Sequence, residues 1–370
     1  MSRGSRLSGT SDLLARHAEL EETLGDGDGG NFISGWQCLN PWHDSIRNEI
    51  DVDRHKLSDS EYLYADRFPS IEQSFTDFHS TRDVTRPERI IFGSGSTALL
   101  LLAASWISLQ GFEEVFYVAP MYFTLHSALT VLGIRPRPIN GLHPYEESFS
   151  INLPPSRAVL ILTDPIWYSG TVVSAGVIKQ IREWQLATGS LVLVDGSFQY
   201  MAWSHADVEP TASLSPALTL RIICPSKQLV MHGYRASYAL VPNRHYRELL
   251  TLHSHLFGSL STDTIAFFLA AGRRLLVESF RSDLMSFASD RHSRLRARGV
   301  ISAPWRPSTG YFCFEKILDA NVNTLVMDGS YFEQPRFPGF ARVNLLSPQI
   351  GQLYRDLDVG LGIKLNQPSA

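Results

Sequence analysis

The sequence predicts an α/β fold: a large domain with a mostly parallel sheet covered by helices on both faces, plus a smaller α+β domain at the C-terminal end. Three observations carry this. Short unbroken apolar runs alternate with helical stretches from Arg89 to Val241, as strands buried on both faces do. Arg244 to about Arg298 contains no proline and reads as long helices. From Pro304 the chain returns to short strands, a change of texture that marks a second domain.

Asp12 to Leu24 forms a short helical pattern that stops at Gly25-Asp26-Gly27-Asp28-Gly29-Gly30. The glycines favour a loose turn, so residues 1–30 are expected to be a flexible arm. The expected strands of the large domain are Arg89 to Phe92, Val115 to Val118, Ala158 to Leu162, Leu191 to Val194, Leu220 to Ile223 and Ser237 to Val241, with helices from about Thr97, Tyr122 and Ser174. Gly310 to Phe314, Thr324 to Met327 and Phe340 to Asn344 are the expected strands of the small domain.

With 370 residues, 44% of them hydrophobic, the chain can bury a large core. A net charge of -4 provides no basic stripe for nucleic acid. Cys38, Cys224 and Cys313 are far apart and lack metal-ligand spacing, so no metal site is expected and a reducing compartment fits. No apolar run is long enough to span a bilayer and Met1 to Leu14 has no signal-peptide pattern, so a cytoplasmic protein without membrane contact is expected.

The chemistry lies just after successive strands. Cys224-Pro225-Ser226-Lys227 follows Leu220 to Ile223, and Arg235 comes eight residues after the lysine. A strand-end amine can condense with an aldehyde, and a guanidinium grips a phosphate in bidentate fashion. Asp195 closes the apolar run Leu191 to Val194, where a carboxylate is costly to bury without a cationic partner such as a protonated pyridine nitrogen. Gly93-Ser94-Gly95-Ser96-Thr97 leads from a strand into an apolar helix, and its free amides and hydroxyls at a positive helix end suit a phosphate. Tyr122, after Ala119-Pro120-Met121, can stack on a flat heteroaromatic ring. Each feature alone has a plainer reading: a solvated lysine, a capping aspartate, turn glycines, a core tyrosine. Their common position at strand carboxyl ends argues for one ligand site.

This ordered set resembles the fold-type I pyridoxal-phosphate enzymes, specifically the class I and II aminotransferase superfamily of the aspartate aminotransferase type, from about Phe32 to Gly360. The resemblance implies pyridoxal 5'-phosphate as cofactor, an α-amino acid as substrate, and a homodimer with shared active sites. Lys227 would carry the cofactor as a Schiff base and shuttle the substrate proton, with Asp195 on the pyridine nitrogen. Arg235, Gly95, Ser96 and Thr97 would hold the phosphate and Tyr122 would stack on the ring, with Cys224, Ser226 and Asp164 in the same cofactor set. Arg342, in Ala341-Arg342-Val343-Asn344, would hold the substrate carboxylate. Tyr64 would reach the neighbouring subunit's cofactor, with Tyr62 a competing assignment and a packing tyrosine the plainer one. Apart from the resemblance, the segment Asn31 to Trp42 is expected to fold over the site, with Trp36 either on the substrate side or simply packed.

By the same resemblance, residues 31–85 are the N-terminal part of the small domain and a dimer-contacting segment, 86–260 the cofactor-binding domain, and 261–370 an interdomain helix and the small domain. Gly329-Ser330-Tyr331-Phe332 resembles a family turn, with Asp328 in place of its proline.

Two positions depart from the family. In Asp164-Pro165-Ile166-Trp167-Tyr168-Ser169-Gly170, Trp167 stands where an asparagine donates to the cofactor's phenolic oxygen and could itself meet cofactor and substrate. Phe198, three residues after Asp195, replaces the tyrosine that makes the second such bond. Transamination is therefore the leading expectation, with a lyase, cyclase or oxidase reaction on an amino acid as the alternative; the Asp-x-Ser-Phe sequence also resembles that of pyridoxal-phosphate arginine oxidases and cyclases. A non-catalytic cofactor-binding module and a nucleotide-binding protein using Gly93 to Ser96 are the rivals.

Overall fold

The computed structural model describes residues 33–83, 86–112, 114–144, 146–204, 209–276, 278–320, 322 and 337–354. The arm at 1–30, the strand expected at Thr324 to Met327 and the Gly329 to Phe332 turn lie outside the described residues.

Two helices, α1 (His43–Arg54) and α2 (Pro69–Arg82), precede the large sheet. There follow β1 (Arg89–Gly93), α3 (Ser96–Leu109), β2 (Val115–Tyr117), α4 (Phe123–Val131), β3 (Arg137–Pro138), β4 (Val159–Thr163), α5 (Ala175–Thr188), β5 (Leu191–Gly196), β6 (Thr219–Ile223), the single turn α6 (Pro225–Gln228) and β7 (Ser237–Val241). The proline-free stretch folds as three helices, α7 (Asn243–Phe257), α8 (Thr262–Leu276) and α9 (Glu278–Ala297). Local chemistry sets several ends. The Ser174 side chain accepts from Val177 N to start α5, and Gly189, at φ +68°, closes it in the left-handed conformation that glycine adopts without penalty.

The large sheet has seven strands in the order β1-β7-β6-β5-β4-β2-β3. Pairs among β6, β5, β4, β2 and β3 are parallel, whereas β7 runs antiparallel to both β6 and β1. Both faces are covered, and alternation along each strand tells which side chain goes where. Val159, Ile161, Leu191 and Leu193 pack with Leu99, Trp106 and Leu125 of α3 and α4. Their neighbours Leu160, Leu162, Val192 and Val194 pack on the other face with Ile178, Ile181 and Trp184 of α5. Each fully buried aliphatic side chain here contributes roughly 1.5–3 kcal/mol relative to exposure.

The second sheet is antiparallel: β8 (Ile301–Ser302), β9 (Phe312–Ile317) and β10 (Phe340–Asn344), in the order β10-β9-β8, followed by α10 (Pro348–Leu353). Its apolar face packs on Leu284, Met285, Ala288 and Leu295 of α9. Residues before α1 belong to this sheet's surroundings: Asn344 N donates to Ile33 O and Leu39 N to Leu346 O. By contrast α1 and α2 pack with α8 against Ile90, Phe92 and Tyr238 of the large sheet, so the described residues 33–83 are shared between the two sheets. Among the described residues no helix is long and apolar enough to cross a membrane.

Candidate active site

Sheet direction gathers the candidate residues. The parallel strands β4, β5 and β6 end side by side, with Thr163 in register with Asp195 and Gly196 with Ile223. Because β7 runs the opposite way, its beginning lies at that same edge, where Ser237 pairs with Gly93 at the end of β1. Arg235, two residues before β7, is thereby brought to the Gly-Ser-Gly-Ser turn.

A cavity of about 300 Å³ opens here, lined by Ser96, Thr97, Tyr122, Trp167, Asp195, Phe198, Cys224, Ser226, Lys227 and Arg235 of the expected set, together with Trp36. At one end the Arg235 guanidinium lies against Gly95: a Cβ on that glycine would fall 2.9 Å from Nη2. Gly95 has φ +89° and caps α3, whose first turn has no acidic residue, so the Ser96 and Thr97 amides face an electropositive corner. Arg235 is held at φ +48°, an uncommon conformation for a side-chain-bearing residue, costing roughly 1–2 kcal/mol.

Deeper in, Asp195 is buried and accepts from the Ser197 hydroxyl at 2.5 Å and the Ser197 amide at 3.2 Å. Burial pushes its carboxyl up, opposed by the Lys227 charge and the Ser197 bonds. The Lys227 Nζ stands 4.3 Å from the centre of the Phe198 ring and makes no hydrogen bond or ion pair with the described residues. Cys224 Sγ and Ser226 Oγ sit 3.3 Å apart, and both approach Ala236 O, which ties α6 to the start of β7.

Three rings enclose Arg342. Its Cζ lies 3.9 Å from the Trp36 ring centre, 4.7 Å from Phe312 and 5.6 Å from Trp167, and Trp36 and Trp167 are nearly parallel, at 13°. Arg342 Nη2 donates to Ser34 O at 2.6 Å, and Ser34 Oγ returns a bond to Arg342 O at 2.5 Å. Arg342 is 1% exposed, so it underlies the cavity wall that Trp36, Trp167 and Phe312 form.

Asp164 and Tyr64 fall elsewhere. Asp164 is buried behind the β4 end, with Oδ1 accepting from Val173 N at 2.7 Å, and burial pushes its carboxyl up to about 7. Tyr64 lines a separate pocket with Asp66 and Glu72, under the Arg67 guanidinium, and Tyr62 is 77% exposed. Ser197, His232, Tyr311 and Phe312 also line the cavity and were not singled out from sequence. For Ser197 a signal existed, since a serine two residues after a strand-end aspartate is placed to donate back to it. For Tyr311 and Phe312 there was none, as they read as a buried strand.

The model of the family described as aminotransferase class I and II matches residues 38–349. A curated relative, a probable aspartate/prephenate aminotransferase from Aquifex aeolicus (strain VF5), is 21% identical over 187 residues, 48% of this chain and 47% of the relative. The match thus spans about half the length of that relative. Among solved structures, the N-succinyldiaminopimelate aminotransferase of Mycobacterium tuberculosis superposes with a TM-score of 0.74 at 16% identity, covering 97% of this chain and 100% of that one. A Thermus thermophilus aspartate aminotransferase double mutant gives 0.71 at 16% identity, with 97% and 98% covered. At such identities the superpositions establish the shared fold, while the family match rests on the sequence: the chain belongs to the class I and II aminotransferases.

Proposed function

We propose that this aminotransferase binds pyridoxal 5'-phosphate, the cofactor its family implies, in the cavity at the strand ends and acts there on an α-amino acid. The observation that carries the reading is the convergence of Lys227, Asp195 and the Arg235-Gly95 corner on one cavity. The residues fit the group. Gly95 leaves the close approach that a phosphate between Arg235 and the α3 amides requires, and Asp195 is a buried carboxylate suited to a protonated ring nitrogen.

When bound, the cofactor supplies an aldehyde that captures amines and a ring that accepts an electron pair from Cα. Lys227 would supply the amine that anchors it and a base within reach of the substrate Cα proton. Asp195, oriented by Ser197, would hold a proton on the ring nitrogen of the bound group. Arg235 and the Ser96 and Thr97 amides fix the phosphate, and Tyr122 covers the ring. Arg342 attracts the substrate carboxylate, while Trp36 and Trp167 keep water from its guanidinium. Tyr64 reaches a second subunit's cofactor in a homodimer, and the protein works in the cytoplasm.

A second reading, elimination, cyclisation or oxidation of the amino acid, is favoured by one specific pair of observations. Phe198 and Trp167 line the cavity at the positions expected to contact the phenolic oxygen, so no carboxamide or phenol serves it from there. Borohydride reduction followed by peptide mass spectrometry tests the core assignment: the cofactor mass belongs on Lys227, and its recovery on another lysine overturns it. Single-turnover spectra then decide the reaction. Stoichiometric pyridoxamine phosphate marks transamination, and product formed without it selects the second reading.

A further inference from the structure

His232 stands in the cavity wall on the turn between Lys227 and Arg235, and none of the roles above uses it. Its Nε2 is 2.7 Å from the Tyr311 hydroxyl. Tyr311 is fully buried, and its ring is wedged between Phe198, at 5.6 Å, and Phe312, at 4.9 Å. Burial, with the Lys227 and Arg235 charges adding to it, pulls the His232 imidazole down to about 4, so it is neutral at physiological pH. Burial pushes the Tyr311 phenol up well beyond its usual range, so it keeps its proton.

Of a neutral imidazole and a neutral phenol, the phenol is the better donor and the imidazole nitrogen the better acceptor. Tyr311 therefore donates to Nε2, which fixes the tautomer with the proton on Nδ1. Among the described residues nothing accepts from Nδ1, and Nδ1 is not one of the buried atoms left without a partner. The pair thus offers an N–H donor in a cavity whose aromatic lining is Trp36, Tyr122, Trp167, Phe198 and Phe312, and whose charged members, Lys227, Arg235 and Asp195, are committed to the cofactor in the function proposed above. With Lys227 and Arg235 engaged by the cofactor, a side-chain carboxylate beside His232 would need a further cation, which a neutral imidazole is not.

Resting on the function proposed above, we propose that His232, locked by Tyr311, is a specificity-determining residue that donates a hydrogen bond to an uncharged oxygen on the side chain of the amino-acid substrate. The substrate class is then an α-amino acid with a hydroxyl, phenol or carboxamide side chain, in preference to its apolar counterpart and to dicarboxylic or cationic amino acids. The geometry is economical: a fixed donor in an apolar wall rewards the ligand that satisfies it and leaves the donor unpaired with one that cannot.

The test uses the cofactor-loaded full chain and matched amino acids: threonine with valine, glutamine with methionine, tyrosine with phenylalanine, with glutamate and arginine as charged controls. The single-turnover rate constant over dissociation constant is read for each, and the cofactor's own dissociation constant is measured separately. In at least one pair the oxygen-bearing member should lead by about tenfold, a hydrogen bond's worth of discrimination. That ratio should collapse towards one in His232→Leu, shrink in Tyr311→Phe, and recover in His232→Asn, whose side-chain amide can donate from nearly the place of Nδ1. A ratio of one in all pairs of the unmodified protein, glutamate or arginine as best substrate, or variants that slow both members equally would each overturn the proposal. So would a weakened cofactor with the ratio intact, which would assign His232 to the cofactor. No spectral response to any amino acid would instead sink the underlying function.

Discussion

Replacing Asp164 by asparagine should change how stability depends on pH, by an amount the burial of this side chain sets. Asp164 is 0% exposed, its Oδ1 accepts one amide hydrogen bond, and its Oδ2 has no partner among the described residues. Burial pushes the carboxyl from 3.8 to about 7, so the folded chain retains a proton that the unfolded chain gives up. The sign follows: a carboxyl with a raised folded pKa gives its full stability below pH 3.8 and loses it as pH rises to about 7, with little further change above. Each unit of displacement is worth about 1.4 kcal/mol, so integration gives on the order of 2–3 kcal/mol of stability lost between pH 5 and pH 8. Asp164→Asn keeps an oxygen for Val173 N and does not titrate. Urea unfolding of both proteins at pH 5, 6.5 and 8 measures the difference; Glu209, whose carboxyl is pushed up to about 8 by burial and in part by the Asp164 charge, is replaced by Gln in both so that the remaining pH dependence is common to the two. The variant should gain on the order of 2–3 kcal/mol relative to the parent between the extremes. Parallel pH profiles, or a variant weaker at every pH by the same amount, would refute the buried-proton argument.

Three further outcomes are expected. Gly95→Ala puts a methyl 2.9 Å from Arg235 Nη2 on a backbone at φ +89°, so cofactor affinity by absorbance titration should fall by about tenfold or more, and phosphate-free pyridoxal should be affected far less. Phe198→Tyr adds a phenol beside Lys227; if that phenol donates to the cofactor's oxygen, the pH at which the lysine-bound chromophore changes absorbance should drop by about one unit, and an unmoved titration would place the ring elsewhere. Trp36→Ala uncovers the Arg342 guanidinium, now 3.9 Å from the indole centre, and KM for amino acids should rise several-fold as water reaches the guanidinium and screens its attraction for the carboxylate.

Much of the fold was written locally. Runs such as Leu191 to Val194 gave strands because β-branched and aliphatic residues without alternation fit a sheet buried on both faces. That Lys227, Asp195 and Tyr122 would share one cavity was legible for a related reason: side chains just past strand ends lie at the edge of the sheet. What stayed hidden depends on distant partners. Nothing in Ser237 to Val241 tells its direction, since a buried strand has the same composition either way, so β7's antiparallel run could not be read. The two-residue strand β3 is too short to carry a pattern. His232 and Tyr311 meet only because the start of β9 reaches the turn between α6 and β7. Asp164 fell in a cofactor-like motif, yet packing turned it inward to Val173 instead of towards the cavity.

The reversed run of β7 has a consequence for how the protein acquires activity. Arg235 and Gly95 come from opposite ends of the large domain's sequence, and they meet only when β1 and β7 pair at the sheet's margin. This closure has high sequence separation and a large loop entropy, the kind of contact that forms late. A ligand gripped by both sides favours the closed margin by mass action. In an assembling chain, anion affinity at that corner would therefore serve as a checkpoint, appearing only once the entire sheet has been threaded, and hydrogen exchange along β1 and β7 should slow more on cofactor loading than along β4 and β5.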